Sequence, residues 1–153
     1  MSQLSLIFCT NPVNPLSWAI RAASWSRWSH VAVVDGDTVI EAITFHGVVR
    51  TPLAQRQKQD PRWSISALPC TDPAAVITAA ASQVGKPYDY TGVLGIGLHR
   101  NWQQGDRWFC SELVAWAFAA GGSPLFRTHA THRVTPQDLW MLQPSESLAP
   151  TAA

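Results

Sequence analysis

The sequence predicts an α+β domain in which an antiparallel sheet, built between Leu4 and Leu68, packs against helices drawn mainly from the second half of the chain. Three observations predict it. Short runs of strand-forming residues alternate with turn dipeptides in the first half. Asp35-Gly36 stands between two of these runs as a hairpin signal. Ser111 to Ala120 is apolar nearly all round and stops at Gly121-Gly122, as befits a helix at the centre of a core.

Leu4 to Cys9 is the expected first strand, stopped by Asn11-Pro12 and Asn14-Pro15. Asn14 followed by Pro15 then starts a short helix, with Leu16, Ile20 and Ala23 marking one face and an end near Trp25. His30 to Val34 and Thr38 to Ile43 form the hairpin around Asp35-Gly36. Two further strands are expected at Gly47 to Arg50 and Arg62 to Leu68, separated by Gln55 to Asp60 as a solvated loop. Asp72 caps a helix that carries Pro73 in its first turn. Its apolar positions Val76, Ile77, Ala80, Ala81 and Val84 recur at helical spacing until Gly85. A loop from Lys86 to Gln104 precedes the central helix, and the tail 144–153 lacks periodicity and is expected to fray, leaving one domain over 1–143.

With 153 residues, 46% of them hydrophobic, the chain can bury one core without metals or disulfides. A net charge of +1 gives no general attraction for nucleic acid or anionic lipid, so function is expected in a local site. Three cysteines, Cys9, Cys70 and Cys110, form no disulfide framework and fit a reducing compartment. The N-terminus has no basic region, and its apolar run is too short for a signal peptide or a membrane span. The expected product is a monomer, cytoplasmic when synthesised and not inserted in a membrane. No metal-ligand spacing stands out, His129 with His132 being too sparse, and no cofactor is expected.

Cys110 lies just before the buried helix, where unpaired backbone N–H groups and the helix dipole favour a thiolate and could hold an oxyanion. Read alone it is more often an inert apolar core residue, the reading given to Cys9 and Cys70. Of His30, His46, His99, His129 and His132, only His30 opens an otherwise apolar strand, which presents its ring at a sheet end. A two-residue turn at Asp35-Gly36 would pair Val34 with Asp37 and set His30 directly opposite Glu41, within reach of a hydrogen bond. Glu41 read alone could be an exposed charge on an open hairpin face. Together the three residues have the logic of nucleophile, base and orienting carboxylate.

Five motifs then carry a resemblance: Trp28-Ser29-His30-Val31, Ile40-Glu41-Ala42, Gly85-Lys86-Pro87-Tyr88-Asp89-Tyr90, Phe109-Cys110-Ser111-Glu112-Leu113-Val114 and Thr135-Pro136-Gln137-Asp138-Leu139. In content and order they resemble the circularly permuted NlpC-type papain-like cysteine peptidases, the YiiX-like branch related to lecithin retinol acyltransferase. In the permuted members the histidine precedes the cysteine, as His30 precedes Cys110. The resemblance implies a papain-like fold with Cys110 on the central helix as nucleophile, His30 as base and later acid, and Glu41 in the third polar position. It also implies that Tyr88 touches substrate, although Tyr88 could equally be a core-edge aromatic. Ser29 and Trp108, near the reactive residues in sequence, are further substrate-binding candidates, although Trp108 could equally be core. Ser111 and Glu112 are expected to support the helix start.

The expected reaction is amide hydrolysis through a thioester, with peptidoglycan stem peptides as the leading substrate and delivery to the wall by a phage particle or a partner protein. Hydrolysis or transfer of lipid acyl groups is the alternative, and a non-catalytic binding module a third. Trp18, Trp25 and Trp28, interleaved with Arg21 and Arg27, could cover a sheet edge, line an acyl site or touch a membrane surface. Trp102 and Trp108 flank the approach to Cys110 in sequence.

Overall fold

Side-chain alternation sorts the sheet into two unequal faces. A computed structural model describes residues 2–89, 108–127 and 134–143. Strand β1 (Ser2–Thr10) lies between β2 (His30–Asp35) and β5 (Arg62–Cys70), with β3 (Thr38–Ile43) and β4 (Gly47–Pro52) beyond β2. The sheet order is β4-β3-β2-β1-β5, antiparallel throughout. Leu4, Leu6 and Phe8 of β1 point with Val31, Val33, Ile40 and Ala42 into the main core. Ile7, Cys9, Ala32 and Val39 point the other way, into a small cluster. Burial on both faces explains why β1 reads as a continuous apolar run rather than an alternating one.

The main face is covered by α3 (Pro73–Ser82) and α4 (Cys110–Ala120). Asp72 caps α3 by accepting the Ala75 N–H at 3.1 Å. Helix α4 is buried on nearly every side, and the two helices close tightly where it ends: a Cβ on Gly121 would come within 2.7 Å of the Val76 backbone nitrogen. A short α5 (Pro136–Met141) carries a capping box between Thr135 and Asp138. It is pinned to the sheet by Trp140, which packs edge-on against Phe8 at 5.1 Å and against Trp28 at the same distance.

The hairpin register differs from expectation. Asp35 pairs with Thr38 and Val34 with Val39, so Gly36-Asp37 is the turn and Gly36, at φ 60°, takes its first central position. Carried on, this register opposes Ala32 to Glu41 and leaves His30 one diagonal step away. The pairing is shifted by two residues from the expected one, an even number, so the face shared by His30 and Glu41 is unchanged.

Three other expectations are corrected. The segment expected as a solvated loop contains α2 (Leu53–Gln59), which covers the smaller sheet face with Leu53 and buries Arg56. Helix α1 (Pro15–Ser24) starts as expected, with Asn14 accepting the N–H groups of Leu16 and Ser17, but it buries Ser17 and leaves Leu16 and Ala23 exposed. Ser17 is drawn inward by hydroxyl partners on β1 and before β2 that apolar periodicity does not register. Helix α3 stops at Ser82, because a turn through Gln83 and Gly85 follows, and Val84 is exposed. Expectations for Tyr90, His99, Trp102, His129, His132 and the tail 144–153 concern residues outside the described ones.

Candidate active site

His30 is the first residue of β2, so its ring stands at the sheet end while Val31 and Val33 anchor the strand in the core. Its Nε2 meets Glu41 Oε2 at 2.6 Å. The same oxygen accepts Arg56 Nη1 at 3.0 Å, and Arg56 Nη2 lies 3.4 Å from Asp60. A carboxylate with no exposed side-chain surface would be costly alone; two charge-assisted partners offset that cost.

The ionisation states follow. Burial pushes the Glu41 carboxyl up, but the hydrogen bond from His30, that imidazole's charge and the Arg56 guanidinium outweigh it and hold the group down at about 2. Burial likewise works against a charged His30, yet hydrogen bonds to Cys110 and Glu41 raise it to about 9. Arg56 is raised in turn, burial being overcome chiefly by Glu41 and then Asp60. With Nε2 engaged by Glu41, Nδ1 is the ring nitrogen left for the Cys110 thiol. His30 and Glu41 lie on the sheet face that α2 covers, whereas Cys110 begins the helix packed on the opposite face. Cys110 nonetheless lies near enough to the imidazole, around the sheet end, to favour its charged form.

Cys110 owes its place to a relay of backbone contacts. Gly47 at the start of β4 has φ 74°, and a Cβ there would lie 2.2 Å from the Lys86 carbonyl oxygen, so only glycine lets the two backbones meet. Val48 N donates to Lys86 O and Gly85 N to Val48 O, both at 2.8 Å. Tyr88 then forms a parallel bridge with Trp108, through Asp89 N to Trp108 O at 3.0 Å and Trp108 N to Pro87 O at 3.1 Å. Cys110 follows two residues later, as the first residue of α4. Phe109 at the N-cap supplies no side-chain acceptor, and Glu112 reaches back to its N–H. Burial first, and the nearby Asp89 charge second, push the Glu112 carboxyl up to about 7. Ser111 donates to Val134 O at 2.5 Å and ties the helix to the approach to α5. Both residues thus support the helix start.

Beside His30 lies a cavity of about 110 Å³. Asn11, Asn14, Ser17 and Ile20 line one side; Ala42, Thr44, Arg56 and Asp60 line another; Ser29 and Tyr88 flank the imidazole. Ser29 accepts the Ser17 hydroxyl at 2.6 Å, and its backbone N–H donates to Cys9 O at 3.1 Å. Tyr88 packs edge-on against Phe109. Trp108 does not line this cavity: its indole N–H donates to Gln83 at 3.1 Å and its ring packs on Trp116, so it serves the site through its backbone. Cys9 stands opposite His30 in the β1–β2 register, but burial pushes its thiol far up, out of range for a nucleophile. Burial raises Cys70 as well. His46 is exposed in the β3–β4 turn, with its Nδ1 at the Thr44 carbonyl.

Arg56 was missed at the level of sequence. Leu-Ala-Gln-Arg-Gln-Lys-Gln is made entirely of good helix formers, so propensity could have found α2; apolar periodicity could not, because so little of the segment is apolar.

No curated protein matches this chain. Among solved structures, the crystal structure of the metalloprotein YiiX from Escherichia coli O157:H7 superposes with a TM-score of 0.64 at 24% identity, covering 82% of this chain and 69% of that one. This likeness shows a shared fold. Residues 5–152 match the model of the permuted papain-like amidases, YaeF/YiiX, of the C92 family. Almost the whole sequence lies inside that match, and the chain belongs to this family of permuted papain-like amidases.

Proposed function

We propose that Cys110, His30 and Glu41 carry out amide hydrolysis as nucleophile, proton carrier and orienting carboxylate. The observation that carries this reading is the His30 ring held between Cys110 and the buried Glu41. The Cys110 thiolate attacks the amide carbonyl carbon, and N–H groups of the first α4 turn receive the oxyanion. As the C–N bond breaks, His30 Nδ1–H protonates the leaving amine and a thioester remains. Water then gives a proton to His30 and attacks the thioester carbon; the C–S bond breaks, releasing the acid and restoring the thiolate–imidazolium pair.

The cavity is small and mixes Asn11, Asn14, Ser29 and Thr44 with Leu16, Ile20 and Ile43. Its size supports a short amide over a long acyl chain, and it opens on His30 rather than on Cys110, which is not part of its lining. Peptidoglycan stem peptides are the substrate class we infer, with Tyr88 and Ser29 contacting the acyl portion, the protein acting as a monomer, and a phage particle or partner protein carrying it to the wall. Nucleic acid has no part in this reading. A second reading, hydrolysis or transfer of a lipid acyl group, is favoured by the apolar outer surface of α1 beside the cavity. YiiX is described as a metalloprotein; in this chain the carboxylate and imidazole of the site are already committed to one another. Glu41 is committed to His30 and Arg56, and among the described residues no group of three or more His, Cys, Asp or Glu side chains is arranged around a common point.

Purified peptidoglycan fragments incubated with the protein should release stem-peptide products, and Cys110→Ser should abolish the release. Liberation of acyl chains from ester or amide lipids without peptide products would move the assignment to the second reading. Failure of the folded protein to react with a thiol probe at Cys110 near neutral pH would indicate a binding module.

A further inference from the structure

Helix α1 is inverted relative to an ordinary surface helix. It turns Ser17 inward, partly buries Ile20, Arg21 and Ser24, and leaves Leu16, Trp18, Ala19, Ala22, Ala23 and the capping Trp25 exposed. No polar side chain interrupts that outer arc. Trp18 is 62% and Trp25 94% exposed, and Val13 just before the helix is 84% exposed. Trp25 is also held at φ 50°, a left-handed conformation that a bulky side chain rarely adopts, and its ring projects from the helix end. Trp28, by contrast, is buried among Phe8 and Trp140.

We propose that this arc is a docking surface for an anionic lipid bilayer, on which α1 lies in the plane of the interface with its tryptophans among the headgroups. Two features select this occupant. Tryptophan beside an arginine is the composition that water–lipid interfaces favour. The charge is also complementary: Arg21 and Arg27 flank the arc, Arg27 stacks over the Trp28 ring at 5.4 Å with its side chain outward, and Asp60, the acidic side chain in the adjoining cavity lining, is paired with Arg56. The surface is continuous with the cavity, because Leu16 belongs to both and Ile20 of the same helix lines the cavity, so docking would bring the His30 side of the molecule to the membrane. No helix among the described residues is long and apolar enough to cross a membrane, so this contact is peripheral. It stands apart from the question of which bond is cut.

Co-sedimentation of the full chain with phosphatidylcholine vesicles, with and without phosphatidylglycerol, tests the proposal, with tryptophan emission read in parallel. Binding and a blue shift are expected with the anionic vesicles, weakening as salt is added. Trp18→Gln/Trp25→Gln should lower vesicle affinity by at least about tenfold, as expected from withdrawing two large apolar side chains from the interface, while thiol labelling at Cys110 is retained. Cys110→Ser should bind vesicles like the unmodified chain, which separates this result from the hydrolase assignment. Absence of binding to anionic vesicles, unchanged binding by the double variant, or a concentration-dependent dimer that the double variant abolishes would each overturn the proposal.

Discussion

The two faces of the sheet divide the labour of this protein. On one, α3 and α4 press Leu6, Phe8, Val33, Ile40, Leu113 and Phe118 into a continuous apolar core that holds the start of α4 in place. On the other, a handful of apolar residues share a thin layer with Arg56 and Glu41, and His30 stands at its end. Apolar packing is non-directional and supplies stability; charge-assisted hydrogen bonds in a dry setting supply orientation and protonation state. On the proposed reading, the difference teaches that a nucleophilic cysteine can be positioned by one layer and activated by another, with the sheet end as the meeting point.

Substitutions can break or sharpen this division. The largest effect is expected at the meeting point, where Cys110→Ser should lower kcat/KM by more than about a thousandfold without changing the unfolding midpoint appreciably. Phe118→Ala, wholly within the dry layer, should cost about 3–5 kcal/mol in chemical denaturation and leave activity per folded molecule nearly intact. Glu41→Gln keeps the shape of the charged layer but weakens its hold on the imidazolium. It should lower kcat/KM by about a hundredfold and bring the His30 pKa down, as followed by NMR titration. Should Glu41→Gln destabilise the fold as much as Phe118→Ala, the division would be wrong. Arg56→Met removes the second partner of Glu41. We expect a loss of about tenfold in kcat/KM, with the acid limb of the pH–rate profile moved upward because Glu41 is no longer held as low.

The smallest effect is the pH dependence of stability, and it distinguishes Glu41 from Glu112 by sign. Glu41, held at about 2 against an ordinary 4.5, stabilises the fold above pH 4.5, and this contribution is lost as pH falls toward 2. His30, raised to about 9 from 6.5, stabilises below pH 6.5 and loses that contribution as pH rises toward 9. Glu112, at the foot of α4, is raised from 4.5 to about 7, so its favourable neutral form is lost as pH rises through that window. Glu112→Gln should therefore flatten the decline in the urea midpoint between pH 4.5 and 7, whereas Glu41→Gln should flatten the decline below pH 4.5.

Much of the site was legible before the fold was known. The start of β2 at His30 and the start of the buried helix at Cys110 follow from local composition, and the shared face of His30 and Glu41 follows from strand parity. Parity survived an error in register because the pairing moved by two residues, which leaves each side chain on the same side. Caps at Asn14 and Asp72 were readable for the same local reason. The role of Arg56 was not legible, since a polar segment carries no apolar period and only the buried carboxylate beneath it draws a guanidinium inward.

By itself, then, the amino-acid order determined the strands, the starts of α1, α3 and α4 to within a residue, and the face on which Glu41 stands, and it offered Cys110 and His30 as candidates. All of these depend on backbone preferences and periodicity over a few residues. Tertiary structure alone decided that α2 seals the carboxylate, that α1 turns its hydroxyls inward and its tryptophans outward, and that Gly47 admits the Lys86 backbone so that Tyr88 and Cys110 reach the sheet end. Those outcomes depend on contacts between segments far apart in the chain, where burial of a charge or close passage of two backbones outweighs what each segment prefers alone.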